Sequence, residues 1–121
     1  MNHSPGFLKL VSDAKKGVRQ TTPEEVKARL DRGEKLMLTD IREDREWDNG
    51  HIAGSIHLGK GIIERDIEST IPDKNVEIIL YCGGGFRSVL AAENLQKMGY
   101  NNVISMDGGW RRWKALGYPT E

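Results

Sequence analysis

Tyr81-Cys82-Gly83-Gly84-Gly85-Phe86-Arg87-Ser88 is the stretch that decides how this chain is read. Ahead of it runs Val76-Glu77-Ile78-Ile79-Leu80-Tyr81, short, apolar and rich in β-branched residues, which predicts a buried strand. Behind it, Ser88-Val89-Leu90-Ala91-Ala92-Glu93-Asn94-Leu95-Gln96-Lys97-Met98 has helical spacing and is closed by Gly99, a helix-ending glycine. The only cysteine therefore sits where a strand gives way to a helix.

That position carries chemistry. The first turn of a helix has N–H groups without intrahelical partners and the positive end of the peptide dipoles, so an anion is stabilised there. Three consecutive glycines, Gly83, Gly84 and Gly85, let the loop curl so that successive amides from residues 83–88 converge on one point. A cysteine sulfur held near that point is a nucleophile at neutral pH without a neighbouring base. Arg87 adds a planar, permanently charged fork suited to an oxyanion. A merely structural, inert cysteine needs neither the glycines nor the arginine.

Working outward, residues 1–6 read as a loose tail in which His3 is solvated. Phe7-Leu8-Lys9-Leu10-Val11-Ser12-Asp13-Ala14-Lys15-Lys16, ending at Gly17, predicts a short helix packed on the outside of the domain, and residues 18–21 a short edge strand. Thr22-Pro23-Glu24-Glu25 supplies an N-cap, a proline at N1 and a glutamate at N3, a capping box for a helix that stops at Gly33. Leu36-Met37-Leu38-Thr39-Asp40-Ile41 is nearly continuous and apolar, as in a strand covered on both faces. Glu43, Asp44 and Arg45 read as a solvated charged run, whereas Asp40 and Arg42, at the end of a buried strand, read as paired structural supports.

Gly50-His51-Ile52-Ala53-Gly54-Ser55-Ile56-His57-Leu58 is a turn followed by a short strand. Two histidines six apart and one remote cysteine do not match zinc-site spacing, so no metal is expected. Ile62, Ile63 and Ile67 predict a short irregular helix, residues 71–74 a turn and residues 102–106 the last strand. Asp107-Gly108-Gly109 then leads to a terminal helix over 110–116. Trp110 and Trp113 share a helical face and read as core. Arg111, Arg112 and Lys114 read as a wet basic face that could also draw an anion. Strands alternating with helices predict an α/β fold, a three-layer α/β/α sandwich with a mostly parallel sheet of about five strands and its ligand site at their carboxyl ends.

Composition narrows the function. The chain has 121 residues, enough for one core, and balances 18 basic against 18 acidic residues, so nucleic acid and anionic membrane are poor partners. No apolar run approaches the ~18 residues of a spanning helix. One cysteine makes no internal disulfide, and together these features point to the cytoplasm.

In their order, Asp40-Ile41-Arg42, Glu46-Trp47 with Gly50-His51-Ile52-Ala53-Gly54-Ser55-Ile56, the loop from Tyr81 to Ser88, and Gly108-Gly109 followed by Trp113 make the chain resemble a single-domain rhodanese, a thiosulfate sulfurtransferase. The resemblance implies a tail and accessory helix over residues 1–21 and a rhodanese-like domain over 22–121. It implies Cys82 as sulfur carrier and Gly83, Gly84, Gly85, Phe86, Arg87 and Ser88 as the cradle of a persulfide. Asp40 and Arg42 match the family's charged pair, and His51 lies in a turn whose role there is structural. No cofactor is implied. The partners implied are a small anionic sulfur donor and an external acceptor, which is cyanide, a thiol or a protein cysteine.

Four residues separate Cys82 from Arg87, whereas the related cysteine phosphatases and arsenate reductases have a longer spacer around a tetrahedral oxyanion. Those enzymes, and a rhodanese-like module used only for protein contact, are the alternatives. Gly59 stands where relatives commonly have a proline, and the glycines of the loop replace polar positions that mark donor preference elsewhere.

Overall fold

A computed structural model of the chain describes residues 3–121. Five strands form one sheet: β1 (Arg19–Thr21), β2 (Met37–Asp40), β3 (Ile56–His57), β4 (Ile78–Tyr81) and β5 (Val103–Met106). They lie in the order β1-β5-β4-β2-β3, and every neighbouring pair is parallel. Six helices accompany them: α1 (Pro5–Lys15), α2 (Pro23–Asp31), α3 (Asp44–Asp48), α4 (Ile63–Thr70), α5 (Phe86–Lys97) and α6 (Gly109–Ala115). The expected α/β sandwich is the architecture observed.

Strand alternation divides the core in two. Ile78, Leu80 and Cys82 pack with Ala14, Ile63, Ile67, Val89, Ala92 and Leu95, so α1, α4 and α5 cover one face. Ile79 and Tyr81 point the other way and pack with Val26, Ile52, Met106 and Trp113, so α2 and α6 cover the second. Because β4 is covered on both faces, its four residues are all buried, and this explains the uninterrupted apolar run. Chain direction across the sheet diverges between β2, which leads to β3, and β4, which leads to β5. The crevice at their carboxyl ends is thus the switch point where ligands of open parallel sheets bind.

Local expectations met three corrections. Of the tail placed at residues 1–6, Met1 and Asn2 lie outside the described residues, but Pro5 and Gly6 already belong to α1, where proline fits the first turn. His3 is partly buried: its ring lies 5.2 Å from Phe7 and 4.9 Å from Phe86. The capping box at α2 is half formed. Thr22 Oγ1 accepts from the Glu25 amide at 3.2 Å, but the Glu25 carboxylate takes the Thr21 hydroxyl at 2.8 Å instead of reaching back to the cap. A complete box occurs at α3, between Glu43 and Glu46.

Candidate active site

Cys82 follows β4 directly and its loop is held from outside. The amides of Trp110 and Arg111, in the first turn of α6, donate to the carbonyls of Cys82 at 2.8 Å and Gly83 at 3.1 Å. With both carbonyls engaged there, the chain turns inward and enters α5 through Gly85, whose φ of +100° is a left-handed conformation that glycine adopts at little cost. The Gly85 amide then donates to Cys82 Sγ at 3.1 Å.

Behind the sulfur is a short polar chain. Cys82 Sγ lies 3.6 Å from Ser88 Oγ, and Ser88 Oγ lies 2.7 Å from Ser105 Oγ on β5, with both serines fully buried. From sequence, the whole run of amides over 83–88 is expected around the sulfur. In the structure one amide, that of Gly85, together with the Ser88 hydroxyl, contacts Sγ. The first-turn amides of α5, which follow directly after Gly85, have no intrahelical acceptor.

Cys82 is only 1% exposed, so its thiol is buried. It is among the residues lining a pocket of about 720 Å³, together with His3, Phe7, Glu46, Phe86, Arg87 and Arg111.

Two guanidiniums overhang the loop. A side chain built on Gly83 would meet Arg87 Nη2 at 3.2 Å and Arg111 Nη2 at 3.5 Å, and one on Gly84 would meet Arg111 Nη1 at 3.0 Å. The bare glycines make room for both. Arg87 is clamped by Glu46 through two hydrogen bonds at 2.8 and 3.2 Å. That pairing raises the Arg87 pKa and holds the Glu46 carboxyl down at about 2. Arg111 makes no ion pair among the described residues.

The supports lie beside the crevice. Asp40 and Arg42 are buried and joined through the Arg42 amide, Nε and Nη2, the last at 2.8 Å. Arg42 also donates to the Gly50 carbonyl at 2.7 Å and lies 4.8 Å from the centre of the Trp110 ring, so it ties the 50–55 turn to α6. His51 stacks on Trp47 with ring centres 3.4 Å apart and its Nδ1 lies 3.1 Å from the Trp47 carbonyl. It stays outside the pocket's walls. Glu43, Asp44 and Arg45 are exposed, although Glu43 and Arg45 border the cavity. Trp113 is buried as expected, and Trp110 is partly buried.

From sequence, Glu46, Phe7 and His3 have no role in the site, and Arg111 is chiefly a wet cation. Glu46 stood in a quoted motif. The others carried no local signal.

Residues 22–116 match the family described as the rhodanese-like domain. The chain belongs to that family. A thiosulfate sulfurtransferase, GlpE, of Pseudomonas savastanoi pv. phaseolicola is 32% identical over 85% of this chain and 92% of its own. A putative sulfur carrier protein, YrkF, of Bacillus subtilis is 31% identical, and there the match covers 84% of this rhodanese-like chain but only 54% of the relative. The chain spans about a quarter of a probable adenylyltransferase/sulfurtransferase, MoeZ, of Mycobacterium tuberculosis, at 34% identity.

Among solved structures, the rhodanese-like domain of an Anabaena protein superposes with a TM-score of 0.77 at 30% identity, over 84% of this chain and 77% of that one. A Rhodopseudomonas palustris protein of unknown function, described as a possible tyrosine phosphatase, superposes with a TM-score of 0.88 at 28% identity. That match covers 100% of this rhodanese-like chain and 98% of the other.

Proposed function

We propose that the protein is a sulfurtransferase that carries a sulfane sulfur on Cys82. The observation that carries this reading is Cys82 itself, which lines a pocket shared with Arg87 and Arg111 and whose sulfur accepts from the Gly85 amide. The Cys82 thiolate attacks the outer sulfur of thiosulfate or a similar anionic donor. A new S–S bond forms, the donor's own S–S bond breaks, and sulfite leaves with the electron pair. The Gly85 amide and the first-turn amides of α5 stabilise the anionic persulfide. Arg111 and Arg87 hold the donor's anionic end above it.

A nucleophile then attacks the outer sulfur of the persulfide and Cys82 departs as thiolate. With one cysteine, this chain has no internal thiol to displace that sulfur, so the acceptor is external: a low-molecular-weight thiol, a protein cysteine, or cyanide in an assay. A reducing cytoplasm suits a free cysteine used in this way.

Support for a second reading comes from the full-length likeness to the possible tyrosine phosphatase. Against it stands the spacer of four residues between Cys82 and Arg87, a small ring for a phosphate. Incubation with thiosulfate followed by intact-mass measurement separates the two. Sulfurtransfer requires gain of one sulfur atom by the native chain and none by Cys82→Ser. Hydrolysis of an aryl phosphate without sulfur gain supports the phosphatase and removes the first reading.

A further inference from the structure

The pocket that Cys82 helps to line is much larger than thiosulfate needs, and part of its lining is aromatic. Phe86, in the loop itself, forms a tilted aromatic group with Phe7 at 6.1 Å and His3 at 4.9 Å. His3 and Phe7 come from the start of α1 and the residue before its cap, outside the 22–116 segment that matches the family. Arg87 and Arg111 line the same pocket, and of the two Arg87 is already paired with Glu46. A cavity whose lining combines this aromatic cluster with Arg111, a guanidinium without an ion pair among the described residues, complements a molecule with an anionic head and a flat apolar body.

We propose that His3 and Phe7 are specificity-determining residues and that the pocket takes an anionic sulfur compound with an aryl or similarly bulky apolar body, such as an organic thiosulfonate, in preference to a small inorganic anion. The proposal rests on the sulfurtransferase reading for its chemistry: Cys82 attacks the outer sulfur of R–SO₂–S⁻, the S–S bond to Cys82 forms, the bond to the sulfonyl sulfur breaks, and the sulfinate leaves with the electron pair. Its recognition part is independent of turnover. The sulfonyl oxygens meet Arg111 and the body R lies against Phe7, Phe86 and His3.

The test measures protection of Cys82 from iodoacetamide in the native protein, read by intact mass, with benzenesulfonate and methanesulfonate as probes that share one head group. Benzenesulfonate is expected to protect at a concentration about tenfold lower, the scale of burying a ring face against apolar side chains. In Phe7→Ala that ratio is expected to fall to about two or less, with methanesulfonate little changed. His3→Ala, a smaller change at the mouth, is expected to lower the ratio in part and serves if Phe7→Ala does not fold. Equal protection by both probes in the native protein, a ratio unaltered in the folded variants, or a Cys82 that resists alkylation altogether overturns the proposal. Failure of sulfur gain from thiosulfate removes the reaction but leaves this ratio readable.

Discussion

Glu46 on α3 and Arg87 on α5 meet through Nη1 to Oε1 at 2.8 Å and Nη2 to Oε2 at 3.2 Å, forty-one positions apart in the chain. Both side chains are about one-third exposed, and the Glu46 carboxylate also caps its own helix through the Glu43 amide at 3.0 Å. The pair therefore fixes the arginine over the Cys82 loop and at the same time fastens α3 to α5. It also leaves Arg87 with little net charge to offer a donor.

The pH dependence follows from that contact. The Glu46 carboxyl lies at about 2 in the folded protein against 4.5 ordinarily, chiefly because of the hydrogen bond to Arg87. A carboxyl depressed on folding stabilises the fold fully above its unfolded value, and the contribution fades as pH falls from 4.5 toward 2. After allowance for solvent screening at a partly exposed pair, its size is about 1–2 kcal/mol. Urea unfolding of the native protein and of Glu46→Gln across that range should converge: the native chain starts more stable at pH 6 and loses the advantage by about pH 2. Parallel curves would show that the pair contributes nothing to folding.

Gly109 is where α6 approaches the loop most closely. Its φ is +52°, and a Cβ there would collide with the Cys82 carbonyl and come within 3.0 Å of the Gly83 carbonyl. Those are backbone atoms at the centre of the site, so no flexible side chain can yield. Gly109→Ala should cost about 2–4 kcal/mol in chemical denaturation and slow sulfur loading of Cys82. Gly17→Ala, where a Cβ meets nothing within 4 Å, is the control and should stay within about 0.5 kcal/mol.

Asp40 and Arg42 are the buried pair at the end of β2. Asp40→Asn leaves the Arg42 guanidinium, only 3% exposed, without its countercharge, at a cost of about 3 kcal/mol or more. Replacing both partners with Asp40→Asn and Arg42→Met should recover at least about 1 kcal/mol, because the penalty belongs to the orphaned charge. Melting of the two variants side by side decides it. If the double change is the less stable, the anchoring of Gly50 and Trp110 by Arg42 outweighs the charge. Since the Trp110 amide holds the Cys82 carbonyl, sulfur loading should fall in step with stability.

How far the sequence could carry this site depends on how local each feature is. The run Ile78 to Tyr81, the glycines after it and the helical spacing beyond specify a strand, a turn and a helix within a few residues, so Cys82 and its loop were legible. Asp40 and Arg42 were legible for the same reason, being two apart at a strand end. Arg111 was not, because its place above Gly84 is set by α6 docking on the loop through backbone hydrogen bonds that leave no mark on residue type. Phe7 and His3 reach the pocket only because α1 packs along α5, a contact between elements far apart in the chain. Glu25 shows the same limit at small scale: its spacing from Thr22 fits a capping box, but a nearby hydroxyl on Thr21 took the carboxylate.

Arg111 gives the sharpest functional prediction. Its guanidinium overlies Gly83 and Gly84, it has no carboxylate partner among the described residues, and its side chain is exposed, so the fold does not depend on it. Arg87 stands equally near but is neutralised by Glu46. The attraction for an anionic donor should therefore rest mainly on Arg111. Arg111→Ala is expected to raise the KM for thiosulfate about tenfold, the scale of one charge-assisted contact, while kcat changes by less than about threefold. Stability should move by no more than about 0.5 kcal/mol, since the backbone amide that holds Gly83 is retained. Arg111→Lys should fall between the two, keeping the charge without the planar fork. A KM unchanged in Arg111→Ala would mean that the donor is held by the α5 amides alone.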